Sequence, residues 1–299
     1  MLAHKTQPHA RPGRSRTGTA SSAIGRNKNQ HLSNRPAKGD RRRRTLGTLV
    51  DYRPLGNTGM RVSLLGLGTV KLGRDQHVSY PSKFTVPDSK SAAALLDRAR
   101  DLGVNLIDTA PAYGTSEATL GKLLNTQRQH WLISTKVGEE FPSHFDFSPA
   151  WARHSIERSL QRLATDYLDI ALIHSNGDDE QILRKMGTLE VLQELKSQGL
   201  IRAVGISHKT TDGGQLAIAM GADVIMTTLS PQHTEQLPVL AAAATRGCGV
   251  LVKKALASGY GKPEDLAWVA RQPGVSSIVV GTIDVTHLAA NVEAVCANA

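Results

Sequence analysis

Cysteine is almost missing from this chain: Cys248 and Cys296 stand far apart and match no metal-ligand spacing. That excludes a disulfide scaffold and a zinc module, no metal site is expected, and the pair reads as reduced, structural thiols of a cytoplasmic protein. Long apolar runs are also missing. None reaches the roughly 18 residues that a membrane-spanning helix needs, and the segment after Met1 has no apolar stretch of the kind a secretory leader carries. Aromatic residues make up only 4% of the chain, and just four of them are Phe. What remains is ordinary globular material. The apolar share of 40% over 299 residues supports a sizeable core in one large domain or two smaller ones.

Acidic residues are scarce at one end only. Residues 1–50 hold nine Arg, three Lys and the single acid Asp40, a net of +11, whereas the whole chain carries +10. The other 249 residues are therefore close to neutral, and the basic balance of the chain says nothing about nucleic acid binding by its body. Residues 1–49 are rich in Arg, Ser, Gly, Pro and Asn and poor in large apolar side chains. Such a segment buries too little surface to offset chain entropy, so it is expected to be a disordered basic tail, with residues 50–299 forming the folded domain. The run Arg41-Arg42-Arg43-Arg44 has two readings: a hook for phosphates of nucleic acid or a charged surface, or a solvated extension without a role.

From Tyr52 onward, short apolar runs alternate with segments of helical period. Strands are expected at 64–67, 105–108, 132–136, 170–174, 202–207, 223–227, 250–253 and 278–281. Between them, Ala92, Leu95, Leu96, Ala99 and Leu102 form one helical stripe that Gly103 is placed to end. Ser116-Glu117 opens a second helix, and Ser148-Pro149 supplies an N-cap followed by Pro at the first helical position. Gly199 closes a helix that carries Leu189, Leu192 and Leu195. Eight β-α alternations in about 250 residues predict an α/β fold, a closed (β/α)8 TIM barrel. The rival, an open doubly wound sheet, usually places a glycine-rich phosphate loop between its first strand and a helix. Here Gly66-Leu67-Gly68-Thr69 leads into a long loop instead.

Barrels of this kind carry their chemistry at the C-terminal ends of the strands. The second expected strand ends in Asp108, the third in Lys136 and the fourth in His174, and Tyr113 follows Asp108 on the same face. Together they suit proton-coupled hydride transfer to a carbonyl. A phenol titrates near 10 and a neighbouring cation favours its anion. Lys136 is placed to be that cation, Asp108 to fix its ammonium, and His174 to orient the carbonyl oxygen. The hydride must come from a cofactor, since no side chain supplies one.

At this point the chain resembles the aldo-keto reductases. The resemblance rests on Asn105-Leu106-Ile107-Asp108-Thr109-Ala110-Pro111-Ala112-Tyr113-Gly114 with Ser116-Glu117, on Ser134-Thr135-Lys136, on the segment from Asp166 to His174, on the segment from Ile201 to Ser207, and on the segment from Val280 to Asn291. It spans Tyr52 to about Val295. It implies an oxidoreductase that reduces aldehydes or ketones, with NADPH as cofactor and NADH as the alternative, and with Tyr113 as general acid. It also implies cofactor contacts at Ser207, His208, Lys253, Gly281, Thr282, His287 and Asn291. Departures from the family pattern accompany it. His208 stands where Asn is frequent, Met226 where Gln is usual, and Lys253-Lys254 where many members place a Tyr that stacks on the nicotinamide. The segment around Gly281 and Thr282 lacks the basic residues that grip a 2′-phosphate in NADPH-preferring members. These departures motivate the alternative of a catalytically weak, cofactor-binding regulatory barrel. Phe84, Phe141, Phe145 and Phe147 all fall in segments that follow strands one and three, which suggests either an apolar carbonyl pocket or loops pinned by aromatic rings. A small-molecule carbonyl substrate is the expected partner, and nothing in the sequence sets the oligomeric state.

Overall fold

The computed structural model describes residues 50–296, so the expected basic tail lies outside the described residues. Eight parallel strands close into a barrel. They are β1 (Leu65–Gly68), β2 (Leu106–Asp108), β3 (Leu132–Val137), β4 (Leu168–His174), β5 (Ile201–Ser207), β6 (Val224–Thr228), β7 (Gly249–Lys253) and β8 (Ser277–Gly281). β8 closes on β1 with Ile278 opposite Leu65 and Gly281 opposite Gly68. Helices cover the outside: α1 (Ser89–Asp101), α2 (Ser116–Leu124), α3 (Pro149–Leu163), α4 (Asp179–Lys185), α5 (Thr188–Ser197), α6 (Thr211–Ala219), α7 (Leu237–Arg246), α8 (Pro263–Ala270) and α9 (Val285–Cys296). The expected closed barrel is present, and each strand lies within two residues of its predicted span.

The local signals act as their chemistry dictates. Ser148 caps α3 by accepting from the Trp151 amide at 3.3 Å, with Pro149 at the first helical position. Gly103 (φ 81°) and Gly199 (φ 82°) follow the ends of α1 and α5 in the left-handed conformation. After β1 the chain makes a short 3₁₀ turn, Val70–Leu72, and then runs without regular structure to α1.

Alternation along the strands sorts side chains into two packed layers. Ile107, Ile133, Val137, Ala171, Ile173, Val204, Ile206, Ile225, Val250 and Val252 face outward and pack with the helices. Leu106, Ile170, Leu172, Ala203, Val224, Met226 and Leu251 face inward. This two-residue period carries straight on to the upper rim, so the residues two places beyond the inward apolar ones, Asp108, His174 and Lys253, are carried inward as well.

The lower mouth of the barrel holds a feature the sequence pattern did not suggest. Tyr52–Pro54 and Arg61–Ser63 form an antiparallel hairpin, whose Leu55, Met60 and Val62 pack into the inward cluster. Its turn presses on the neighbouring backbone: a Cβ on Gly56 (φ 52°) would lie 2.3 Å from the Gly247 carbonyl oxygen, so only glycine fits there. The hairpin closes the bottom with apolar side chains, which leaves the polar chemistry to the top.

Candidate active site

At the top of β3, Lys136 is 1% exposed and its ammonium is fully engaged. It donates to Asp108 Oδ1 at 2.8 Å, to Oδ2 at 2.7 Å and to the Thr109 carbonyl at 2.8 Å. Ser134, two residues earlier and on the same inward register, adds a fourth bond by donating to Asp108 Oδ1 at 2.9 Å. Burial alone would lower the lysine pKa, but Asp108 and Tyr113 outweigh it and the net shift is upward. Lys136 is therefore a held cation.

That cation lies 4.8 Å from the centroid of the Tyr113 ring. The phenol comes from the short turn Pro111–Tyr113 that follows β2. Its pKa moves up, chiefly because it is desolvated, with Lys136 pulling the other way. Lys136 acts on the phenol in the expected, lowering direction, while burial is the larger effect and sets the net shift. The phenol is consequently a protonated, donor-ready group at neutral pH, with a cation beside the oxygen it would leave charged.

The Tyr113 and His174 rings meet edge to face, 6.2 Å between centroids. His174 Nδ1 lies 2.8 Å from Glu139 Oε2. Burial pushes the imidazole pKa down, and Lys136 and Lys253 push it the same way against the pull of Glu139. Glu139 itself would be raised by burial, but its bond to His174 and the charges of Arg74 and Lys209 hold it below the usual carboxylate range. A neutral ring whose Nδ1 faces a carboxylate keeps its proton there, which leaves Nε2 as an acceptor. Glu139 was missed from sequence. It stands three residues beyond Lys136, past the turn at Gly138 (φ 103°), and no strand-end rule marks it.

A cavity of about 590 Å³ opens over these groups. Asp108, Tyr113, Lys136 and His174 all line it, as do Ser207, Met226, Lys253 and Gly281. Its rim includes Tyr80 and Lys71, the latter placed 4.2 Å over the Tyr80 ring.

Residues 64–265 match the sequence profile of the Aldo/keto reductase family. The chain belongs to that family. It is 38% identical over 172 residues to L-galactose dehydrogenase from Arabidopsis thaliana, which covers 55% of this chain and 50% of that protein. It is 34% identical over 175 residues to the NADH-specific methylglyoxal reductase of Escherichia coli, covering 53% and 52%. The chain thus spans about half the length of the named relatives it matches. Among solved structures, one assigned as an aldo-keto reductase from Pseudomonas aeruginosa is 52% identical, with a TM-score of 0.78, covering 84% of this chain and 97% of that one. The holo form of an aldo-keto reductase from Bacillus halodurans, at 26% identity, gives a TM-score of 0.71 and covers 82% and 91%.

Within this aldo/keto reductase barrel the remaining sequence candidates fall in different places. Ser207 and Lys253 touch: Lys253 Nζ donates to Ser207 Oγ at 2.7 Å and to the His208 carbonyl at 2.9 Å. The His208 ring does not line the cavity. It is 1% exposed, its Nδ1 lies 2.9 Å from the Thr210 carbonyl, and burial lowers its pKa to about 4. Gly281 reaches the cavity, whereas Thr282, His287 and Asn291 lie beyond it in the turn and first turns of α9. There Asp284 governs the local structure, accepting from the Thr286 amide at 2.7 Å and the His287 amide at 3.0 Å. The four Phe side chains do not line the cavity either. Phe84 packs against Tyr80, Phe141 against His77, and Phe145 stacks on Phe147. Of the two readings open from sequence, these ring contacts favour the one in which the Phe side chains pin the loops. The Ser116-Glu117 pair is structural too: Ser116 Oγ donates to Thr69 while accepting from Thr109, and Glu117 accepts from Thr135 at 2.6 Å.

Proposed function

We propose that this chain reduces aldehyde or ketone carbonyls to alcohols with a nicotinamide cofactor, using Tyr113 as the general acid. The observation that carries this reading is the convergence of a held cation, a half-buried phenol and an imidazole on one cavity, from three successive strand ends. A substrate carbonyl oxygen placed at the Tyr113 hydroxyl receives its proton. Lys136 then stabilises the phenolate, and Asp108 keeps Lys136 charged and immobile so that no reorganisation is needed during the step. His174, with its proton on Nδ1 toward Glu139, offers Nε2 to a hydroxyl hydrogen, either that of the forming alcohol or one next to the carbonyl.

The cavity suits a nicotinamide cofactor. It runs from Tyr113 past Ser207 and Lys253 to Gly281, and Gly281 has no side chain to fill the passage beside Tyr80. When bound, the cofactor supplies the hydride. Ser207 and Lys253 would hold its reactive end, and the backbone at Gly281 would pass its phosphates. We infer that NADH is favoured over NADPH, which shifts the sequence expectation. Two of the three amides that start α9, those of Thr286 and His287, are already taken by the Asp284 carboxylate. A helix N-terminus in that condition presents negative charge rather than an anion site.

The test is NADH and NADPH oxidation with small aldehydes, comparing wild type with Tyr113→Phe. Loss of the hydroxyl should cut kcat by about 10²–10⁴ while cofactor binding, followed by fluorescence quenching, is kept. Equal turnover in the two proteins would overturn the acid assignment. Cofactor binding without turnover in wild type would favour the regulatory barrel instead.

A further inference from the structure

Lys253 is, after Lys136, the second lysine that a barrel strand carries inward to the cavity, and its surroundings are those of a nucleophile. It ends β7 on the inward register, two residues after Leu251. Its two bonds are to neutral acceptors, Ser207 Oγ and the His208 carbonyl. Among the described residues, none places a carboxylate within ion-pair distance of it. The charges that face it are mostly of its own sign: Lys254 beside it, Lys136 from β3 and Lys209 after β5, with Asp179 of α4 opposing. The rings of His174 and His208 also feel it, and both have lowered pKa values. Burial, then these cations, bring Lys253 down to about 7. A neutral amine has two N–H groups and one lone pair. With both N–H groups committed to Ser207 and His208, the lone pair is left for the cavity. Desolvation beside other cations is a recognised way to make a lysine nucleophilic.

We propose that Lys253 is a second reactive group of this site, an amine that condenses reversibly with an aldehyde in the cavity to give a Schiff base, independently of any nicotinamide. The Nζ lone pair forms a C–N bond as the carbonyl π pair moves to oxygen. That oxygen gains a proton and Nζ loses one, giving a neutral carbinolamine. The hydroxyl is then protonated and leaves as water while the nitrogen lone pair closes the C=N bond. One water is released per imine, and no oxidant or reductant is consumed. Tyr113 lines the same cavity and can supply the proton to the carbonyl oxygen. The fitting ligands are small unhindered aldehydes, which would be held by Lys253 in competition with their reduction.

The experiment uses the full chain without nicotinamide cofactor, propanal as probe, and cyanoborohydride, which reduces an imine to a stable secondary amine that peptide mass spectrometry can locate. Lys253 should be propylated about tenfold or more faster than its exposed neighbour Lys254, with the rate rising through a midpoint near 7. Lys253→Arg, which keeps the charge, should lose that label and retain slow labelling at Lys254. Labelling of Lys253 no faster than Lys254, or labelling of exposed lysines with Lys253 untouched, would overturn the proposal. Because no cofactor is present, its failure leaves the reductase reading standing, and an inactive reductase would leave the labelling result standing.

Discussion

The ends of β3 and β7 each project a lysine into the same cavity, and the two lysines are opposites. Lys136 sits against a carboxylate and a carbonyl, with the Tyr113 phenol beside it, and it is held as a cation. Lys253 has a hydroxyl and a carbonyl, no carboxylate at ion-pair distance among the described residues, and a pKa brought down to about 7. Burial disfavours the charged form at both positions, so the difference lies in whether a carboxylate stands beside the lysine. β2 ends in Asp108 next to β3, whereas β6 ends in Thr227 and Thr228 next to β7. One lysine can stabilise negative charge and the other can act through its lone pair. A strand-end lysine is thus given its role by the groups that the barrel brings to it.

This contrast can be broken in both directions. Asp108→Asn removes the counter-charge and leaves Lys136 buried without one, which should cost about 3–5 kcal/mol of stability in urea unfolding along with most of the turnover. A small loss in both would mean that the pair matters less than its burial implies. At the other lysine the sign reverses. A lysine with a depressed folded-state pKa binds its proton less well folded than unfolded. The penalty is therefore complete below about 7 and is relieved as pH climbs toward the ordinary 10.5. Lys253→Met should raise Tm most at pH 6, with the gain over wild type fading by pH 10. A gain that does not vary with pH would show that Lys253 stays charged.

A smaller effect is expected at Asp284, in the turn between β8 and α9. Asp284→Asn keeps a capping side chain but removes the negative charge, so the ratio of NADPH to NADH dissociation constants should fall several-fold toward NADPH. An unchanged ratio would remove Asp284 from cofactor selection. Its own carboxyl is held below the ordinary range by the two amides, so the contribution of this cap is present at neutral pH and lost only as acid reaches that lowered pKa.

Much of this protein could be read from its residues in order. Eight apolar runs, Ser148-Pro149, Gly103 and Gly199 mark elements through local backbone and burial preferences, which neighbouring residues settle among themselves. Asp108, Tyr113, Lys136 and His174 were legible because each follows an apolar run, and a parallel barrel brings such positions to one rim. The hairpin at 52–63 was not legible, since its strands are only three residues each and its inward Leu55, Met60 and Val62 are set by the barrel they enter. The rise of the Tyr113 pKa, the Glu139 contact to His174, the burial of the His208 ring and the placing of the four Phe side chains outside the cavity were likewise decided by tertiary structure. Each depends on distances and desolvation that exist only after the barrel closes. The sequence determined which residues reach the rim. Packing determined which of them stand together, which are charged and which merely support the loops.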